Sequence, residues 1–231
     1  MRDGNTINVQ PVHGAEQSAV RLFLLASAFG ALLHQRGILP LHGAALRRDD
    51  GYVVLLGSSG KGKSTLSAAL RQRGWAMASD DVSAIALVDG RPVLHPGYPE
   101  SKMWPDALAL INEPADKYPR LRAVDDKRRV RVDNFSPESA EVGALVLIST
   151  SDAPEPTMVR SDSPGFVMAA LKGQVYRGEF SVRLGAHRDQ FATLAALAEH
   201  VPVFQLDRPV SGADPAALAL LVESQVEAHE S

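Results

Sequence analysis

Tyr52-Val53-Val54-Leu55-Leu56-Gly57-Ser58-Ser59-Gly60-Lys61-Gly62-Lys63-Ser64-Thr65 is the stretch that decides the fold of this chain. Its first five residues form an apolar, β-prone run that reads as a buried strand. Gly57 to Ser64 then meets the pattern G-x-x-x-x-G-K-[ST] at every fixed position, and Lys63 to Arg73 is helix-prone. Strand, glycine-rich loop and helix in that order predict a phosphate-binding loop. Glycines let the backbone turn tightly and aim its N–H groups inward, and the positive end of the following helix faces the same point. Gly57, Ser58, Ser59, Gly60, Lys61, Gly62, Lys63, Ser64 and Thr65 are therefore the candidate nucleotide-binding residues. Lys63 would reach the β- and γ-phosphates of ATP, and the Ser64 hydroxyl would ligate Mg²⁺.

Working outward, the chain reads as alternating elements. A helix is expected from about Ala15 to Gln35, with Val20, Phe23, Leu24, Phe29, Leu32 and Leu33 on one buried face. Leu39 to Leu46 and Tyr52 to Leu56 read as a hairpin about Asp49-Asp50-Gly51. A helix from Lys63 to Arg73 carries the chain about 16 Å from the phosphates. The strand Trp75 to Ser79 returns it by a similar distance, at about 3.3 Å per residue. Asp80 and Asp81 thus come back to the loop, where adjacent carboxylates suit Mg²⁺ coordination and proton abstraction from a hydroxyl. Pairing Arg48 with Tyr52 would set His42 opposite Ser58, at the mouth of the loop.

Downstream, Ser83 to Val88, Glu141 to Ile148 and Val203 to Leu206 read as strands. Ser163 to Leu171, His187 to His200 and Asp214 to Ala228 read as helices, with a short helix at Asp106 to Ile111. Gly90 to Pro105 holds four prolines and reads as loop. Lys117 to Asn134, with seven Lys or Arg among eighteen residues, reads as surface. The expected architecture is a single α/β domain over residues 1–231, a mixed, mostly parallel sheet covered by helices, after a loose terminus of fourteen residues.

Composition excludes some classes. The net charge of −3 lends no support to nucleic acid or an anionic membrane as partner. The absence of cysteine excludes a disulfide scaffold, a Cys-ligated zinc site and a thiol nucleophile. The apolar run Val20 to Leu33 is shorter than the roughly 20 residues of a span.

Leu41-His42-Gly43, Gly57 to Ser64, Arg73-Gly74 and Ser79-Asp80-Asp81-Val82 together resemble the HPr kinase/phosphorylase family of P-loop serine kinases. That resemblance implies a P-loop kinase core, with His42 assisting catalysis, Lys63 and Ser64 holding phosphate and Mg²⁺, and Asp81 as the base. It also implies metal ligation by Asp80 and by a further acid, for which Asp106 is the best-spaced residue with Glu100 behind it. Thr65 departs from the family, which often has Glu there, and no separate amino-terminal domain is expected. Pro96 to Asp106 and Lys127-Arg128 look more like the compact kinases of lasso-peptide and related gene clusters. This implies transfer to a serine of a precursor peptide, with Lys127 or Arg128 stabilising the transferring group. Homo-oligomers and cytoplasmic residence are further expectations. Two other readings stay open: a kinase/phosphorylase of an HPr-type phosphocarrier or of a small-molecule hydroxyl, and a non-catalytic nucleotide-binding sensor.

Overall fold

The computed structural model describes residues 4–49 and 51–230, so the Asp50 of the expected turn and residues 1–3 of the expected loose terminus lie outside the described residues. The chain opens with helix α1 (Gln17–Phe23), a π-helical turn (Leu24–Ala28) and helix α2 (Phe29–Gln35). Strands β1 (Leu39–Leu41), β2 (Gly43–Arg48) and β3 (Gly51–Leu56) lead to helix α3 (Lys63–Gln72). Then come β4 (Ala76–Ser79), β5 (Ser83–Val88), β6 (Arg91–His95), β7 (Glu100–Met103), helix α4 (Pro105–Leu110) and β8 (Arg128–Arg131). The last part holds β9 (Ala140–Ser151), β10 (Thr157–Arg160), helices α5 (Pro164–Gly173), α6 (Gly178–Arg183) and α7 (His187–His200), β11 (Val203–Pro209) and helix α8 (Pro215–Glu230).

The main sheet runs β1-β5-β6-β9-β3-β2-β4, with β11 added to β9 and β10 to β11. Its centre explains the continuous apolar run of β3. Val53 and Leu55 point into one core with Leu66 and Leu70 of α3 and Val222 and Val226 of α8. Tyr52, Val54 and Leu56 point into the opposite core, with Val167 and Leu171 of α5 and Leu194 and Leu197 of α7. Strand side chains alternate between faces, so a strand covered on both sides must be apolar throughout. Each large side chain so buried contributes about 1.5–3 kcal/mol.

The sheet is mixed, as expected, but its pairings are mostly antiparallel rather than mostly parallel. Only β3 with β9 and β9 with β11 run parallel. The other six pairings are antiparallel. Short connections such as those of β2–β3 and β5–β6 force antiparallel neighbours, whereas parallel pairing needs a long crossover. The Gly90 to Pro105 stretch read as loop in fact contains β6 and β7. There β7 pairs with β8 in a separate two-stranded sheet, and its Met103 and Val130 pack with Ala68 of α3. Prolines at strand beginnings and between short strands masked these elements.

The amino-terminal helix is less buried than its pattern suggests. No residue of α1 is buried, and Phe23 and Phe29 are 67% and 42% exposed. The π turn adds rotation between the two halves, so a 3.6-residue period does not carry one face across it. By length and composition, Gln17–Gln35 is the one helix among the described residues that would suffice to cross a membrane.

Candidate active site

The loop after β3 lies across the carboxyl ends of β9 and β11, the position where open α/β sheets bind ligands. Gly57 has φ 153°, and a Cβ there would stand 2.7 Å from the carbonyl oxygen of Ile148. Gly62 has φ 92°, and its Cβ would meet the Arg208 guanidinium at 3.3 Å. Ser58, Ser59 and Gly60 are exposed at the mouth, and Ser64 and Thr65 stand half-buried in the first turn of α3. The outer flank of the loop is tied down: Lys61 Nζ donates to Thr150 Oγ1 at 2.6 Å, and Arg208 Nε donates to the Lys61 carbonyl at 2.9 Å. Thr150 and Arg208 are register partners in β9 and β11.

Lys63, 7% exposed, points back into the curve of the loop. Its Nζ donates to the carbonyls of Gly57 at 2.6 Å and Ser58 at 3.2 Å and lies 3.2 Å from His42 Nε2. His42 Nδ1 is 3.1 Å from the Asp81 carbonyl oxygen. An ammonium can only donate and a carbonyl can only accept, so this geometry assigns the proton to Nδ1 and leaves Nε2 as acceptor. Burial and then the Lys63 charge lower the His42 pKa, which keeps the ring neutral as that arrangement requires. Burial also lowers the Lys63 pKa, although Asp81 and Asp80 oppose it.

The two aspartates sit at the carboxyl end of β4, which runs parallel to β3 with β2 between them. Asp80 is 6% exposed, and its oxygens accept from Ser101 Oγ at 2.9 Å and Lys102 N at 2.8 Å. Burial and then the Asp81 charge push its pKa up to about 6, against those two bonds. Asp81 presents its Oδ2 to Lys102 Nζ at 2.5 Å. Burial alone would raise the Asp81 pKa, but the Lys102 charge and bond outweigh it and hold the carboxyl below its usual range.

Two expectations need correction. The hairpin register is shifted by one residue: Arg48 pairs with Gly51 and Gly43 with Leu56, and His42 leaves the strand in a bend rather than facing Ser58. The histidine reaches Lys63 all the same, because its backbone is pinned from the other side by Gln174, whose carbonyl accepts from His42 N at 2.7 Å. Asp106 does not join the acid pair. It is exposed, and its Oδ1 caps the N–H of Ala107 at the start of α4. Glu100 lines the cleft with Asp80 and Asp81 instead and pairs there with Arg21 at 3.0 Å. Of the basic pair, Lys127 acts electrostatically on His42, Lys63 and Asp81 from its seat on the Trp104 ring, while Arg128 reaches back to the Tyr118 carbonyl.

Lys102, Arg208 and the segment Gln174 to Tyr176 were not singled out from sequence. Arg208 and Gln174 to Tyr176 lie far along the chain in stretches without a motif, Lys102 lies within the Pro96 to Asp106 stretch, and only the packing of β7, β11 and the turn after α5 brings them in. Among the described residues no group of three or more His, Cys, Asp or Glu side chains is placed to hold a metal ion. Mg²⁺ commonly takes only one or two carboxylates, with phosphate and water oxygens completing its shell. Asp80 and Glu100 line one cleft, and Ser64 stands in the first turn of α3.

No family model matches the chain, and no curated protein matches it. Among solved structures, the chain is similar to an Hpr(Ser) kinase/phosphatase. That protein, from Coxiella burnetii, is 15% identical, with 83% of this chain and 99% of that chain covered, at a TM-score of 0.44.

Proposed function

We propose that this chain is an ATP-dependent kinase that passes the γ-phosphoryl group to a serine hydroxyl of a peptide, a lasso-peptide or related precursor. The observation that carries the reading is the linked set Lys63, His42 and Asp81: the P-loop lysine contacts a neutral histidine whose other nitrogen meets the backbone of an ionised aspartate. A module that only binds nucleotide has no need of a carboxylate beside the loop lysine. Phosphoryl transfer is mostly positioning and charge stabilisation. The loop amides and Lys63 would cradle the phosphates, and Asp81 would accept the hydroxyl proton. Lys127 would add positive charge where the transferring group becomes more anionic. Ser64 and Asp80 would hold Mg²⁺, which when bound neutralises phosphate charge.

The peptide acceptor rests on the sequence resemblance around Pro96 to Asp106. Its test is intact-mass spectrometry of the precursor peptide encoded beside this gene, after incubation with the protein and Mg-ATP. A phosphate adduct that disappears with Asp81→Asn and Lys63→Ala supports the reading. ATP consumption without an adduct on the peptide would sink the peptide acceptor, and ATP binding with no turnover at all would leave a sensor.

A further inference from the structure

The buried cation of β7 belongs neither to the phosphate loop nor to the Asp80-Asp81 pair, yet it holds that pair. Asp80 receives Ser101 Oγ and Lys102 N, and Asp81 receives Lys102 Nζ, so two consecutive residues of one strand bind both carboxylates. The Asp81 backbone is fixed as well, because its carbonyl accepts from Gly43 N at 3.2 Å and from His42 Nδ1. This leaves one free group: Asp81 Oδ1 has no hydrogen bond from the described residues, while Oδ2 is taken by the ammonium. Asp81 and Lys102 both line a cleft of about 30 Å³ with Tyr98, Gly97, Glu100 and Tyr176. That space admits a group the size of a water molecule or a hydroxymethyl.

Stability alone is a poor reason to keep Lys102 there. Its side chain is 9% exposed, and the cost of desolvating a buried ion pair roughly cancels its attraction. What such a pair does supply is a defined position. The strand that carries Lys102 is in turn packed on α3, the helix that begins at the phosphate loop, through Met103 and Ala68. The acid and the phosphate loop are therefore also linked through β7 and α3.

We infer that Lys102 is a positioning residue for phosphoryl transfer, holding Asp81 through Oδ2 so that Oδ1 is left for the acceptor hydroxyl. The inference rests on the kinase reading above. In the step it serves, the bond between the γ-phosphorus and the oxygen bridging to ADP breaks and a bond from the acceptor oxygen to that phosphorus forms. The acceptor proton passes to Asp81 Oδ1, and ADP leaves. Lys102 exchanges no proton.

The test compares wild type, Lys102→Gln and Lys102→Arg in steady-state transfer to the peptide, in ADP binding by calorimetry and in thermal unfolding. A misplacement of about 1 Å at a catalytic group costs on the order of 100-fold in rate. Lys102→Gln should therefore lower kcat by about 100-fold, with peptide KM and ADP affinity within roughly threefold of wild type, and Lys102→Arg should restore a large part. A glutamine variant that turns over like wild type overturns the inference alone. So does one in which rate, ADP affinity and melting temperature fall together, since that marks a general structural role. Wild type that forms no phosphorylated product overturns the kinase reading and this inference with it.

Discussion

Lys63→Met separates what the loop lysine does for the fold from what it does for the nucleotide. The ammonium is 7% exposed and makes bonds to two carbonyls and to His42. Each such bond to a charged group is worth about 1.5–3 kcal/mol net, but their sum is offset by the cost of burying the charge, the cause that lowers the lysine's pKa. Methionine has a similar length and needs no solvation, so the expected change in unfolding free energy is within about 1 kcal/mol. For a chain of this size that is a melting-temperature shift of no more than about 4 °C. Nucleotide binding should behave otherwise. Loss of charge-assisted bonds to two phosphates, each worth about 1.5–3 kcal/mol, predicts a 10²- to 10⁴-fold rise in the Kd for Mg-ATP. Urea unfolding and titration with a fluorescent ATP analogue read the two quantities. A loss of stability above about 2 kcal/mol, or a Kd raised less than fivefold, would refute the reasoning.

At the opposite end of β3, Glu223 is 8% exposed and accepts from Arg48, from Arg73 Nε at 2.8 Å and from Trp75 Nε1 at 3.1 Å. Glu223→Gln should cost about 2–3 kcal/mol, because both arginines are partly exposed and can rehydrate, and urea midpoints should show it with ATP affinity unchanged. Burial opposes the Glu223 charge, but bonds from Trp75 and Arg73 outweigh it and lower its pKa. Its contribution should be present above about pH 4.5 and vanish as pH falls through the lower folded value, so Glu223→Gln should flatten the acid arm of stability against pH. His42 has a folded pKa below its ordinary 6.5, so the unfolded chain binds the proton more readily. Stability should drop as pH falls below about 6.5, and His42→Gln should remove that part of the slope. Asp106→Ala should leave Mg-ATP affinity within twofold, since Asp106 caps α4 outside the cleft; a tenfold loss by the same titration would restore it as a metal ligand.

Much of the site was legible because its signals are local. Tyr52 to Ser64 combines a continuous apolar run with glycines and a lysine at fixed spacing, and short-range sterics and hydrogen bonding suffice to turn that into strand, loop and helix. The boundaries of β5 and α7 were equally readable, since turn residues and apolar periodicity bracket them. Asp80 and Asp81 could be placed from helix and strand lengths alone, because a helix rises and a strand returns by known amounts per residue. His42 needed more: its hairpin register was off by one, and its backbone is pinned by a bond to Gln174, more than a hundred residues away.

The remaining assignments belong to tertiary structure. Whether the sheet is mostly parallel depends on which strands become neighbours, and that is settled by connections and by helices packing on both faces, not by the strands' own residues. The same holds for Asp106 and Lys102. Lys102 lies inside the proline-rich stretch and Asp106 directly after it, and spacing favoured the aspartate. The pairing of β7 with β8 and its packing on α3 turn the lysine into the acid cleft and leave the aspartate to cap a helix. The sequence by itself determined a nucleotide loop and a nearby acid pair, since each is encoded by neighbours along the chain. Which charges meet that pair was decided only by folding, because the attraction between charged side chains depends on their distance through space and on the water removed between them.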